Sequence, residues 1–320
     1  MFITLLHQLY LSTPLFILIF LGFSLIRFAH WSTSVSDGLN QLVFNVALPC
    51  MLFGVMSNFY KSPPMDVRLL LAFFGGCLLV FVIGRMVAIK IFRLEGVASS
   101  VFALGGIFSN NVMLGIPIAG LLLGPRALPI VALVLIFNSL ILWSLLTISV
   151  EWSKNGRLSL AGIGATAKNV LKNPLIIGIL GGAAWSLFHR PLPTIIAQPV
   201  SMLGQMAAPL SLVALGMSLA QYRIREGLSI SYTICALKLV VQPLTVWLLA
   251  WALGLPSLET HVVVLLGSMS VGVNVYLMSQ QFQVLTGPTA SSMLFSTVLA
   301  AFTTPLLMLL LDKFYPVIPL

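Results

Sequence analysis

Residues 109–117 read Ser109-Asn110-Asn111-Val112-Met113-Leu114-Gly115-Ile116-Pro117 and interrupt an apolar run where a membrane-spanning helix is expected. A second interruption, Ser268-Met269-Ser270-Val271-Gly272-Val273-Asn274, lies in another apolar run about half a chain later. Paired interruptions at matching places in two halves are typical of a transporter binding site made from discontinuous helices. Backbone freed from a helix at membrane depth must be satisfied by protein or by a water-filled cavity. We therefore predict that both segments face one polar cavity.

The composition is that of an integral membrane protein. Hydrophobic residues make up 59% of the 320 residues and charged residues 7%, whereas a soluble domain carries roughly 25% charged residues. The net charge of +9 comes from Lys and Arg scattered over short loops, without the basic tract expected of a nucleic-acid-binding protein. The three cysteines lie in apolar runs, which favours packing over a disulfide framework or a metal cluster. The first apolar run lacks a small-residue cleavage motif and is interpreted as a retained span.

The hydropathy pattern predicts an all-α membrane protein with ten spans, each of about 20 apolar residues. The predicted spans are 9–29, 38–58, 68–91, 98–122, 128–150, 174–189, 196–220, 229–253, 259–281 and 288–311. The longest polar loop follows the fifth span. The predicted organisation is therefore a first five-helix repeat (1–152), a cytoplasmic linker (153–172) and a second five-helix repeat (173–320).

Weak internal similarity supports this division. Ala47-Leu48-Pro49 resembles Ala207-Ala208-Pro209, and Gly124-Pro125 resembles Gly287-Pro288. Together with the two interruptions, these matches give offsets of 160, 161 and 163 residues. Because five is odd, the second repeat would enter the membrane from the opposite side, as an inverted repeat.

The distribution of basic residues predicts the orientation. With the N-terminus outside, the segments assigned to the cytoplasm hold ten Lys and Arg residues and the outer segments hold five. The positive-inside rule then places both termini outside the cytoplasm and the linker inside it. The expected location is the inner (plasma) membrane, as a multi-pass protein in the lipid bilayer.

Several stretches resemble the auxin efflux carrier family, which includes the plant PIN auxin carriers and bacterial carriers labelled as malonate transporters. They occur in family order over nearly the whole chain: 42–49, 110–117, 173–177, 208–220 and 238–243. The resemblance implies that helices four and nine are broken and cross near the membrane centre. It also implies a scaffold of helices 1, 2, 6 and 7, a moving transport domain of helices 3–5 and 8–10, and a possible homodimer.

The chain departs from the PIN pattern at informative positions. Ser109 and Ser270 replace the proline that PIN carriers have at each crossover, and serine can hydrogen-bond backbone carbonyls without enforcing a break. Asn110 corresponds to a substrate-contacting asparagine of helix four, and Asn138 to a glutamine of helix five. Leu52 replaces a serine that contacts substrate, so an auxin-shaped pocket is not expected.

The predicted substrate-binding residues are all asparagines: Asn110, Asn111, Asn138 and Asn274. An amide donates and accepts hydrogen bonds without the cost of a buried charge. Half-helix N-termini beside them would offer free N–H groups and a positive dipole end, which suits a carboxylate. Alternatively, these amides satisfy unwound backbone or, for Asn138, form an interhelical hydrogen bond.

Other polar and proline positions are interpreted as structural. Four residues mark the predicted helix breaks: Ser109, Pro117, Ser270 and Gly272. Pro49 and Pro209 are predicted to kink spans two and seven.

Lys238 is the one ionisable side chain predicted deep in a span, apart from histidines near span ends. It could raise the positive potential of the cavity, or it could tie down carbonyl groups of a broken neighbour. All seven carboxylates fall at span ends or in loops, which disfavours a pump with a buried proton-relaying carboxylate. Sodium could still bind neutral oxygens around Gln205, Ser211 and Gln281.

These observations predict a secondary carrier for a small organic anion, working by an elevator-like exchange of its site between membrane faces. The alternative is a channel or a substrate-sensing receptor on the same scaffold. The sequence contains no phosphate loop, HExxH pair or nucleophile elbow. We therefore expect no enzymatic activity, no cofactor and no metal.

Overall fold

A computed structural model describes residues 2–61, 65–155, 171–222 and 227–316, and helices form nearly all of this part of the chain. Most of the predicted cytoplasmic linker, 156–170, lies outside the described residues. The α-helices are α1 (Phe2–Arg27), α2 (Thr33–Leu42), α3 (Leu48–Ser57), α4 (Arg68–Lys90), α5 (Gly96–Gly105), α6 (Ile116–Leu122), α7 (Ala127–Asn155), α8 (Pro174–Ser186), α9 (Thr194–Leu219), α10 (Leu228–Ala236), α11 (Gln242–Ala252), α12 (Ser257–Gly267), α13 (Val273–Gln281) and α14 (Thr286–Phe314). Three π turns, Val43–Ala47, Asn111–Gly115 and Leu237–Val241, and a 3₁₀ turn, Phe59–Lys61, complete the set.

Within the residues that the structure describes, six helical stretches are long and apolar enough to cross a membrane. They are Thr33–Ser57, Arg68–Lys90, Ala127–Val150, Thr194–Leu219, Leu228–Ala252 and Thr286–Phe314. The predicted fourth and ninth spans fall short because each is divided into two short helices, and α8 is only 13 residues long. The prediction of an all-helical membrane protein is therefore confirmed, and the count of ten crossings remains a prediction.

Each π turn ends two residues before a proline: Pro49, Pro117 or Pro243. Proline lacks an N–H group, and its ring crowds the carbonyl group four residues earlier. A wider turn relieves that crowding. The residue before each proline donates its N–H to the carbonyl oxygen five residues earlier, as Leu48 does to Val43 O. The kink predicted at Pro49 thus coincides with a π turn. Pro209 instead lies inside α9 without such a turn.

Glycine allows two pairs of helices to pack closely, α1 with α9 and α8 with α3. A Cβ atom on Gly22 would collide with Val213 O, and one on Gly182 would lie 2.5 Å from Phe53 O. Backbones that approach this closely are typical of helix pairs in membranes. Gly182 follows Gly22 by 160 residues, and Val213 follows Phe53 by the same number.

Residues with positive φ repeat at nearly the same interval. His30 and His189 have φ of 56° and 51°, and the Nδ1 atom of each contacts the carbonyl oxygen two residues earlier, at 2.7 and 3.0 Å. Arg93 and Gly254 form a second such pair, and Gly124 and Leu285 form a third. Left-handed residues commonly follow helix C-termini. The two halves therefore end helices at corresponding positions, 159 or 161 residues apart.

The main helix contacts fall into two groups, which are joined by packing of α1 on α14. In the first group α1 packs on α9, and α3 packs on both α8 and α9. In the second group α4 packs on α5 and α11, while α10 packs on α14 and α11 on α12. The two divided segments, α5–α6 and α12–α13, meet beside the first group.

Candidate functional site

The two divided segments join through their backbones. One segment leaves the α-helical conformation after α5 ends at Gly105, and the other after α12 ends at Gly267. Between the half-helices, Ser109 pairs with Val271 in an isolated antiparallel bridge. Asn110 N donates to Ser270 O at 2.9 Å, and Gly272 N donates to Phe108 O at 2.8 Å. Each segment thereby satisfies backbone groups that the other has lost from its helix. These bonds fix the position of the residues that follow.

The serines at the crossing do not support the break with their side chains. Ser109 Oγ and Ser270 Oγ are buried and have no hydrogen-bond partner among the described residues. A serine from α14 contributes instead, since Val271 N donates to Ser296 Oγ at 2.9 Å. The sequence interpretation, in which Ser109 and Ser270 bond backbone carbonyl groups, thus does not match the geometry.

A cavity of about 80 Å³ lies directly beside the crossing, with room for a few water-sized groups. The structure brings all four predicted asparagines to its wall, together with Ser109 and Gly272. The remaining lining residues are Phe44, Phe108, Val112, Met113, Leu135, Asn173, Leu175, Ile176 and Val273. The other predicted positions, Pro49, Pro117, Pro209, Ser270 and Lys238, do not line it. We refer to this space as the asparagine cavity.

Several polar atoms at the cavity wall and at the crossing beside it are buried without a partner in the described part of the chain. They are Asn110 Nδ2, Asn111 Nδ2 and Oδ1, Asn138 Oδ1, and the two serine Oγ atoms. Leaving such a group unpaired costs about 1–3 kcal/mol. The set contains both donors and acceptors. A polar ligand in the cavity could satisfy several of these atoms at once.

Two helix N-termini lie at the cavity wall, and no charged side chain of the described residues lines it. The helical stretch through α6 begins at Asn111, and α13 begins at Val273, with Asn110 and Gly272 as their respective N-caps. The first N–H groups of a helix lack partners within it, and the N-terminus carries a partial positive charge. Among the described residues, no Lys, Arg, Asp or Glu lines the cavity. Two helix N-termini beside neutral amides form an environment that favours an anion.

Asn173 is a cavity residue that sequence reasoning did not single out. It caps α8, accepting a hydrogen bond from Leu175 N at 2.9 Å through Oδ1. Asn173 and the proline after it are a typical helix start, but that local signal does not reveal a nearby cavity. Because α8 packs on α3, Asn173 brings a residue outside the two divided segments to the cavity wall.

Lys238 lies behind the crossing and outside the cavity wall. Its Nζ atom donates to Gly267 O at 2.5 Å and to Gln242 Oε1 at 2.6 Å. Of the two roles considered for this lysine, the geometry favours tying down a carbonyl group of a broken span.

A larger cavity of about 580 Å³ adjoins the asparagine cavity. Both share Phe44, Met113, Val273 and Asn274, so these side chains stand between the two spaces. Farther out, the wall includes Asp37, Tyr222 and Tyr276. Burial raises the pKa of Tyr222 to about 12, so this phenol stays neutral at physiological pH. We refer to this larger cavity as the vestibule.

Comparisons with known proteins point to one class. The family model described as "Membrane transport protein" matches residues 11–308. A relative from Rhizobium meliloti named "Putative malonate transporter" is 26% identical over 299 residues, covering 92% of this chain and 92% of its own length. A relative from Methanocaldococcus jannaschii, described as an uncharacterized transporter, is 24% identical over 243 residues, covering 72% of this chain and 75% of its own. These names describe transporters, not enzymes.

Proposed function

We propose that this chain, which belongs to the membrane transport protein family (the auxin efflux carrier family), is a secondary carrier of a small organic anion. The single observation that carries this proposal is the asparagine cavity. Five asparagines meet there beside two helix N-termini, and several of their amide atoms have no partner among the described residues.

The proposed substrate class is a small carboxylate. A carboxylate accepts hydrogen bonds only, and Asn110 Nδ2, Asn111 Nδ2 and the helix N–H groups can donate to it. Malonate is a reasonable first test compound, because the Rhizobium meliloti relative carries that substrate in its name. The cavity of about 80 Å³ favours a compact solute over an aromatic one.

The proposed mechanism is an elevator-like exchange between two inverted five-helix repeats. The repeated positive-φ residues and the matched glycine contacts, all 159–161 residues apart, support a duplicated unit. The first helix group (α1–α3, α8 and α9) would serve as the scaffold. The second group (α4–α7 and α10–α14) would carry the crossing past it.

The vestibule supports an inward-facing state. The charge distribution assigns the loops near Asp37 and Tyr222 to the cytoplasm, and both residues line the vestibule. In the proposed orientation, solute would leave the asparagine cavity past Phe44 and Met113 into the cytoplasm. Closing that path while opening the opposite side would complete alternating access.

Flux measurements in proteoliposomes test this function. The purified protein should take up radiolabelled malonate or another small carboxylate with saturation, and unlabelled substrate inside should accelerate uptake by counterflow. Asn110→Ala should reduce uptake at least tenfold, since it removes a donor from the site, while expression and thermal stability stay unchanged.

Asn58→Ala is the matched control, because Asn58 is an exposed asparagine away from the cavity whose amide donates to Gly54 O. It should transport normally. Full activity of Asn110→Ala would remove the proposed ligand role. Conductance that counter-substrate does not affect would favour the channel, and saturable binding without flux would favour the receptor.

A further inference from the structure

One lysine and one glutamine hold both divided segments from behind the crossing. Lys238 lies in the π turn Leu237–Val241, Gln242 begins α11, and both side chains are fully buried. Lys238 Nζ reaches Gly267 O at the end of α12, and Gln242 Nε2 donates at 3.0 Å to Ile107 O, just past the end of α5. Since Lys238 also donates to Gln242 Oε1, the pair connects the ends of two half-helices.

Both of these half-helices present their C-termini to the pair. The last carbonyl groups of a helix have no partner within it and carry a partial negative charge. The ion pairs of the described residues join Arg68 to Asp66 and His261 to Asp312, and neither includes Lys238. Lys238 Nζ instead donates hydrogen bonds to a carbonyl oxygen and an amide oxygen.

Neutral oxygens of this kind are also the ligands that a hard metal cation prefers. We propose that the Lys238 ammonium is a tethered cation, filling an oxygen-lined site for a small monovalent cation behind the crossing. It holds the two half-helix ends together without a dissociable ion. Transport, if the proposed function is correct, therefore needs no sodium.

The two halves differ at this point. The residue 161 positions before Lys238 is Cys77, which is buried behind the same crossing and accepts a hydrogen bond from Gln242 Nε2 at 3.4 Å. One half supplies a cation and the other a small thiol. Removing the lysine would leave Gly267 O and Gln242 Oε1 unpaired, and Gln242 is held in orientation by Ile107 O. A small free cation could then enter.

Thermal unfolding of the purified protein tests the proposal without requiring any substrate. Wild type, Lys238→Ala and the control Lys90→Ala, which alters an exposed lysine at the end of α4, are compared in choline, sodium and methylammonium chloride at equal ionic strength. Wild type and control should have the same Tm in all three salts. Lys238→Ala should lose roughly 5–10 °C in choline and recover at least half of that loss in methylammonium or sodium.

A Tm of Lys238→Ala that is equally low in all three salts would overturn the cation site. Sodium-dependent stability or sodium-dependent uptake of the wild type would also overturn it. This second comparison uses the wild-type protein alone, so it can still be made if Lys238→Ala fails to accumulate. Failure of counterflow would reject the carrier but leave the salt dependence of Tm intact. The two proposals can therefore fail separately.

Discussion

The asparagines of the cavity show how a membrane protein can prepare a polar site without burying a charge. Asn110, Asn111 and Asn138 are 6%, 1% and 4% exposed, and each has at least one amide atom without a partner among the described residues. A buried amide that only supported the fold would be expected to have its hydrogen bonds made. Unpaired atoms clustered on one cavity instead suggest that stability is reduced locally in favour of binding.

Asn111→Leu separates these interpretations. If Asn111 serves the ligand, removing two unpaired buried polar atoms should raise stability by about 1 kcal/mol, while uptake falls at least tenfold. If Asn111 instead supports the unwound backbone, the same change should lower Tm. Thermal unfolding and proteoliposome uptake, measured on one preparation, distinguish the two.

Asn40→Leu is the matched control for stability. Asn40 Nδ2 donates to Ser218 Oγ at 2.9 Å, so its loss should cost about 1 kcal/mol. A rise in Tm for both variants would indicate a general effect of added apolar surface and would contradict the assignment of Asn111.

At the scale of helices, glycine and proline decide how closely and where elements meet. The π turns before Pro49, Pro117 and Pro243 absorb the proline ring without ending the helical path. Glycines at the contacts of α1 with α9 and of α8 with α3 bring backbones together. These contacts would make the first helix group a rigid frame.

Gly182→Val and Gly216→Val should each destabilise the protein by roughly 1–3 kcal/mol, because added side chains overpack a close helix contact. Any Cβ atom on Gly216 would collide with Ile19 O. Gly38→Ala is the control, since a Cβ atom there meets nothing within 4 Å. Alanine should be neutral or stabilising in this exposed helix. Equal Tm values for all three variants would contradict the packing argument.

At the scale of the whole molecule, the elevator proposal requires the first helix group to move relative to the second. Tyr222 follows α9 and Tyr276 lies in α13, so this ring pair, with centroids 4.7 Å apart, spans the two groups. Tyr232 and Phe295 stack at 5.2 Å between α10 and α14, inside the second group. The two pairs therefore differ in whether relative motion separates them.

A short bifunctional thiol cross-linker tests the motion in a background without native cysteines. The double variant Tyr222→Cys with Tyr276→Cys should lose most uptake when cross-linked and regain it when the link is cleaved. Tyr232→Cys with Phe295→Cys should keep its uptake after the same treatment. Unaffected transport in the cross-linked first pair would exclude sliding of the two groups at the vestibule.

Sequence reasoning identified the class of the protein. Of the four residues interpreted as marking helix breaks, Ser109, Ser270 and Gly272 lie between the half-helices, whereas Pro117 lies within the helical stretch that runs from Asn111 to Leu122. Hydropathy and composition are properties of residues alone, so they indicated a membrane protein, and the family assignment is confirmed. Asn110 and Asn274 stood out because amides are conspicuous within apolar runs. The orientation of the termini, the dimer and the ten crossings remain predictions.

By itself, the sequence determined the apolar helices, their interruptions and the approximate interval between the two halves, because helix periodicity, hydropathy and proline geometry are local. Only the tertiary structure decided that Asn173 joins the cavity, that backbone bonds and not serine hydroxyls close the crossing, and that Lys238 holds the end of a half-helix. Each of these contacts joins residues distant in the chain. Their hydrogen bonds depend on how helices pack, which no local pattern specifies.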